Sequence, residues 1–204
     1  MRFHNKFRDY AKICSFGMLA GALSLMTTFL PAGTLWSFST ITTLYGFWIV
    51  TSVLLIWRST SHLTAGLNVF LYLVFTTIAF YGLKYILGFF LPQSENSSFQ
   101  FQPLLHFAVS AFVCGIAALI LYLWNHKSWY GSILLAAPIG LLAAESLYTL
   151  FLLQQHQTHL FQMLFNAGFC LYLGIQFRKM AKSKEIYSVS VIGFAALSYY
   201  FIYV

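Results

Sequence analysis

Seven apolar runs, each about as long as a helix needs to cross the hydrocarbon of a bilayer, follow one another along this chain with only short polar links between them. Backbone N–H and C=O groups find no water in lipid, so an apolar run of that length forms its hydrogen bonds within itself, as a helix. The runs fall at 13–30, 37–57, 63–85, 104–124, 130–152, 159–177 and 186–203. Pro31 and Gly33 end the first, and a polar stretch from Gln93 to Gln102 separates the third from the fourth, which Pro103 is placed to begin. The expected fold is therefore all-α, a polytopic transmembrane bundle of about seven helices forming one domain over 1–204. Loss of the short last run gives the six-helix alternative.

Charge supports the threading. Only 7% of the residues are charged, where a water-soluble chain of this length carries about a quarter. Ten of the eleven basic residues lie in 1–12, 58–62, 125–129 and 178–185: Arg2, Lys6, Arg8, Lys12, Arg58, Lys127, Arg178, Lys179, Lys182 and Lys184. Alternate links thus hold nearly all the positive charge, and basic links stay on the cytoplasmic side. The N-terminus is expected in the cytoplasm and the C-terminus outside. A basic start followed by an apolar run also resembles a signal peptide, but Leu30-Pro31-Ala32 is a poor cleavage site, so an uncleaved first helix is expected. The net charge of +7 belongs to this topology and to anionic headgroups; no basic and aromatic run forms a nucleic-acid face, and no nucleic-acid partner is expected. Trp36 is placed at the outer boundary, Trp57, Trp124 and Trp129 at the inner one, and Trp48 in the core.

Small residues four apart mark helix contacts: Gly17 and Gly21, Ala111 and Gly115, and Ala136, Gly140 and Ala144. Runs one to three and four to six would have opposite topology, which permits an inverted repeat, although no residue pattern supports one. Cys14, Cys114 and Cys170 lie inside apolar runs at spacings that match no zinc or redox pattern, and read as small buried hydrophobes.

Polar groups inside lipid are costly, and those that occur face the bundle interior and mark function or packing. Glu145 is the principal one, about 6 Å to the outer side of the midplane. Tyr148 and Thr149 share its face, and Pro138 lies two turns below. His106, Ser110 and Cys114 form a stripe on the fourth run; His159, Gln162, Asn166 and Cys170 on the sixth; Asn68, Tyr72, Thr76 and Lys84 on the third. At the depths this topology implies, Glu145, Tyr148, Asn166, Gln162, His106 and Lys84 line an outward-facing polar pocket for a small molecule. The competing reading is a set of interhelical hydrogen bonds, with Glu145 paired to Lys84 or neutralised by burial. His156 and His159 are three apart, a spacing compatible with one metal, with His106 and Glu145 at similar depth, but the motif is not diagnostic and His156 falls in the loop, so no metal and no cofactor is expected. No catalytic motif is present: no His-Glu-x-x-His, no Gly-x-Ser-x-Gly, no phosphate-binding loop. An enzyme is not expected.

The first run's end at Leu30-Pro31-Ala32-Gly33, and Ala144-Glu145-Ser146-Leu147-Tyr148 in the fifth, resemble a group of small bacterial polytopic membrane proteins that form a domain of unknown function. The resemblance implies the bacterial cytoplasmic membrane, a multi-pass cell-membrane location and interest in Glu145, and supplies no activity. Two functions are therefore expected to compete: small-molecule binding or transport through the polar pocket, and an accessory role in which the helices bind another membrane protein.

Overall fold

The computed structural model describes residues 7–90 and 100–203. Every long element in it is a helix: α1 (Phe7–Thr27), α2 (Tyr45–Arg58), α3 (His62–Phe90), α4 (Phe101–Leu121), α5 (Trp129–His156), α6 (Leu160–Met180) and α7 (Lys184–Tyr203). Single turns of 3-10 helix occupy Phe38–Thr40 and Tyr122–Asn125. Six of the seven helices, all but α2, are long and apolar enough to cross a membrane. The chain is an all-α, multi-pass membrane protein. The polar stretch from Gln93 to Gln102 falls mostly outside the described residues.

The helices group into two compact units, one formed by 1–29 and 54–122, the other by 30–53 and 123–204. In the first, α1 and α3 lie side by side and parallel. The carbonyl of Tyr72 sits over Gly17 and that of Thr76 over Gly21, so one step of four residues on α1 matches one step of four on α3. Lipid supplies no hydrophobic force to hold two helices together, so close backbone approach over glycine provides the dispersion contact that does. The helix α4 runs antiparallel to α3: Gly115 packs on Phe70, the Phe70 and Phe112 rings meet edge to face at 6.2 Å, and Tyr81 meets Phe107 at 6.1 Å. The link between α2 and α3 is tied down by Asn68, whose amide donates to Ser59 Oγ at 2.9 Å.

The second unit repeats part of this plan. Its helix α5 runs parallel to α7, with Gly140 against the backbone of Phe194 and Ala195, and the Tyr148 and Tyr203 rings stacked 4.2 Å apart. The helix α6 runs antiparallel to both: Cys170 Sγ reaches the Ile139 carbonyl at 3.7 Å, and Tyr187 Oη donates to the Gly174 carbonyl at 3.1 Å. Residues that meet across α1 and α3 are about 55 apart in sequence, and so are those that meet across α5 and α7. The α1–α3 pair and the α5–α7 pair therefore share one parallel arrangement at the same sequence separation. The three-plus-three inverted pairing of runs one to three with four to six is not the arrangement found.

Parallel packing of α1 and α3 has a topological consequence. Both start at the same end of their unit, so the chain between Thr27 and His62 must travel back across the full thickness. The α2 helix has only 14 residues, about 21 Å of rise, against a hydrocarbon core of about 30 Å. The balance is made by non-helical chain, and this corrects the expected continuous helix over 37–57. The cause lies in residues 30–44. Ser37 has a left-handed backbone, φ 43°, and its hydroxyl donates to the carbonyls of Ala32 and Thr34. The Thr40 hydroxyl donates to the Ser37 carbonyl and that of Thr43 to the Thr40 carbonyl. Short hydroxyl side chains here offer the backbone local partners that compete with helix bonds. The crossing that falls short is thus the second, whereas the expected weak one was the seventh; α7 is 20 residues long.

Within each unit the described basic residues gather at one end, except Lys84 near the far end of α3. Arg8 and Lys12 lie near the start of α1 and Arg58 just before α3. In the second unit, Lys127 precedes α5 and Lys182 and Lys184 flank the start of α7. The Ser183 amide donates to Ser132 Oγ, which fixes that link at the head of α5. Trp124, expected at the inner boundary, lies in the turn between α4 and α5 and is buried, with its ring 5.1 Å from that of Phe177. Trp48 Nε1 donates to the Thr42 carbonyl at 2.8 Å.

Candidate functional site

Glu145 lies about 4 Å from the midpoint of α5 and is fully buried. Its neighbours come from four parts of the second unit. The α2 helix begins beside it, and the backbone N–H groups of Tyr45 and Gly46 face its carboxylate. Gly46 also abuts Asn166 of α6: a side chain at position 46 would overlap the Asn166 carboxamide. Asn166 is about 9 Å into α6 from Leu160, so α2 starts well inside the membrane-crossing part of the unit. The stacked Tyr148 and Tyr203 rings close another side, and the Tyr203 hydroxyl lies within electrostatic reach of Glu145, Tyr45 and Tyr148.

A helix that begins inside a membrane exposes unsatisfied N–H groups where no water can reach them, and its end carries about half a positive charge. A carboxylate there is the natural complement. The match is incomplete, however. Neither Glu145 oxygen closes a full hydrogen bond, and the Asn166 Nδ2 and Gln162 Oε1 atoms are likewise buried without partners. Such atoms cost of order 1–3 kcal/mol each when left unpaired, so a cluster of four in one region calls for something to pair with.

One turn before Asn166, Gln162 holds the unwound chain. Its Nε2 donates to the Ser37 carbonyl at 2.6 Å and to Thr40 Oγ1 at 2.8 Å. The Leu160 amide donates to the Leu35 carbonyl at 3.0 Å, and the Phe38 and Phe161 rings pack 5.4 Å apart. The segment 35–40 is thereby anchored to the first turn of α6, and the chain descends from there to Tyr45. At the same end, His159 takes a left-handed backbone, φ 69°, before α6 and bonds Thr158 Oγ1 through Nδ1. Burial, with the charge of His156 adding to it, holds the His159 imidazole below its ordinary value.

Of the six residues expected to line a pocket, Glu145, Tyr148, Gln162 and Asn166 belong to this unit, and Glu145 and Asn166 both meet Gly46. Lys84 and His106 belong to the first unit. Lys84 Nζ donates to Gln100 Oε1 at 3.1 Å, and His106 is exposed with its ring against Phe107. The ion pair considered between Lys84 and Glu145 is not what the lysine makes. Sequence reading missed Tyr45, Gly46, Ser37, Thr40 and Tyr203. The hydroxyl-rich stretch 37–43 behind Pro31 and Gly33 was a usable signal for Ser37 and Thr40; Tyr45, Gly46 and Tyr203 carry none.

Comparison with protein-family models, with curated proteins and with solved structures gives no match to this chain. Among the described residues no three His, Cys, Asp or Glu side chains come together as metal ligands.

Proposed function

We propose that this protein binds a small molecule at Glu145 and moves it across the membrane through the second unit, entering from the face opposite the basic links. The observation that carries the reading is the start of α2 inside the membrane, against a fully buried carboxylate whose oxygens are not fully bonded. Interrupted helices with polar ends at mid-membrane are how many transporters hold their cargo, because the free backbone groups and the dipole end supply binding where lipid supplies none. The unwound segment 30–44, held by Gln162, is the movable part: a few side-chain hydrogen bonds, rather than a continuous helix, fix its place.

Orientation belongs to the same proposal. Ten of eleven basic residues fall in the N-terminal stretch and in alternate links of the sequence, so those segments face the cytoplasm of a bacterial inner membrane, in keeping with the family likeness of Leu30–Gly33 and Ala144–Tyr148. Native mass spectrometry of gently extracted protein tests the proposal. A retained small molecule that is lost in Glu145→Gln supports it. A protein that carries no such molecule and co-purifies with a defined membrane subunit establishes the accessory role instead.

A further inference from the structure

We infer that the ligand of the Glu145 site is an organic cation that donates hydrogen bonds, a primary ammonium or a guanidinium group. The inference rests on the binding role proposed above and names its chemical class. Three of the four unpartnered atoms accept hydrogen bonds only: Glu145 Oε1, Glu145 Oε2 and Gln162 Oε1; one, Asn166 Nδ2, donates. Glu145 and Asn166 both meet Gly46, and Gln162 lies one turn from Asn166 on the same face of α6. A ligand that completes this set must bring several N–H donors and one acceptor.

Charge selects further. With Glu145 ionised, the state a bound cation would maintain, the start of α2 supplies about half a unit of positive charge and leaves about half of the carboxylate's charge uncompensated. The lysines and arginines of the second unit, Lys127, Arg178, Lys179, Lys182 and Lys184, are all at its other end. An anionic ligand would set a second negative charge beside Glu145. A neutral one would leave the residual charge buried. A quaternary ammonium ion has the charge but no N–H group to give the three acceptors. The stacked Tyr148 and Tyr203 rings add electron-rich surface beside the carboxylate, which also favours a cation.

Binding is measured by calorimetry on the purified protein in lipid nanodiscs, at matched ionic strength, with butylammonium, guanidinium, tetramethylammonium, butyrate and butanol as probes. Butylammonium or guanidinium is expected to bind saturably, and tetramethylammonium, butyrate and butanol at least about tenfold more weakly. Glu145→Gln is expected to abolish the binding. Glu145→Asp, which keeps the charge but withdraws it by one methylene, is expected to weaken it by about tenfold, and covers the case in which the neutral variant does not fold. Equal binding of butanol or butyrate, amine binding unchanged in both variants, or no binding of either cation would overturn the inference. Retention of a neutral or anionic molecule that depends on Glu145 would overturn the cation while leaving the binding role intact.

Discussion

Replacing Gly17 by alanine, compared with the same change at Gly82, isolates the contact that makes α1 and α3 parallel neighbours. A Cβ on Gly17 would lie 2.5 Å from the Tyr72 carbonyl oxygen, 3.2 Å from Phe75 Cβ and 3.3 Å from the Thr76 nitrogen. The first is about 1 Å inside ordinary van der Waals distance, and the obstacle is main chain, which cannot swing aside. The helices must separate along their whole contact, and overpacking of this kind costs about 1–3 kcal/mol. Alanine's better helix propensity returns up to about 1 kcal/mol, so the net loss is about 2 kcal/mol when the clash is at the upper end. Nothing lies within 4 Å of a Cβ at Gly82, so that variant keeps only the gain. The two variants therefore move in opposite directions and differ by about 3 kcal/mol, more than a hundredfold in the folding equilibrium. Reversible unfolding in bicelles, followed by steric trapping, reads the difference directly. Equal stability of the two variants, or a Gly17→Ala protein more stable than the wild type, would refute the packing argument.

Gln162→Leu removes both hydrogen bonds to Ser37 and Thr40 and strands their acceptors; it is expected to cost about 1–3 kcal/mol and to open 35–43 to protease at low enzyme ratios. Tyr187→Phe loses one bond to the Gly174 carbonyl, and its cost is expected near 1 kcal/mol in the same unfolding assay. His159 makes stability depend on pH. Its folded-state value lies below the ordinary 6.5, so the unfolded chain binds more protons between the two values. Its contribution is complete above pH 6.5 and is lost as pH falls through the folded value, and His159→Gln is expected to flatten that part of the stability profile.

Lipid makes a membrane fold unusually legible, because the only cheap way to bury a backbone there is to close its hydrogen bonds locally. Apolar length alone therefore located α1 and α3 to α7. The ends shifted by a few residues where polar side chains continue the helix, as α5 does through Gln154, Gln155 and His156. The exception was α2. Its hydrophobicity reads as one crossing from 37 to 57, but Ser37, Thr40 and Thr43 bond their own backbone, and average hydropathy does not register that competition. The glycines on α1 and α5 were visible as contacts, yet which helix each would meet depends on the parallel arrangement, which spacing does not encode. Glu145 stood out because a carboxylate in an apolar run is rare. Its partners did not: the amides of Tyr45 and Gly46 are backbone, with no signature in side-chain sequence. The pairing of Lys84 with Gln100 rather than a carboxylate depends on how α3 and α4 pack, and is equally silent in the sequence.

Substituted-cysteine labelling, in a background with Cys14, Cys114 and Cys170 replaced by serine or alanine, tests the interrupted second crossing most directly. Cysteines are placed singly at Gly33, Thr60, Lys127 and Gln157, and intact cells are treated with a membrane-impermeant maleimide. Positions 33 and 157 should label from outside, while 60 and 127 should label only after the membrane is opened. Labelling of 33 and 60 from the same face would mean that the chain between the two parallel helices does not cross, and neither the α2 start at Glu145 nor a site built on it would survive that result.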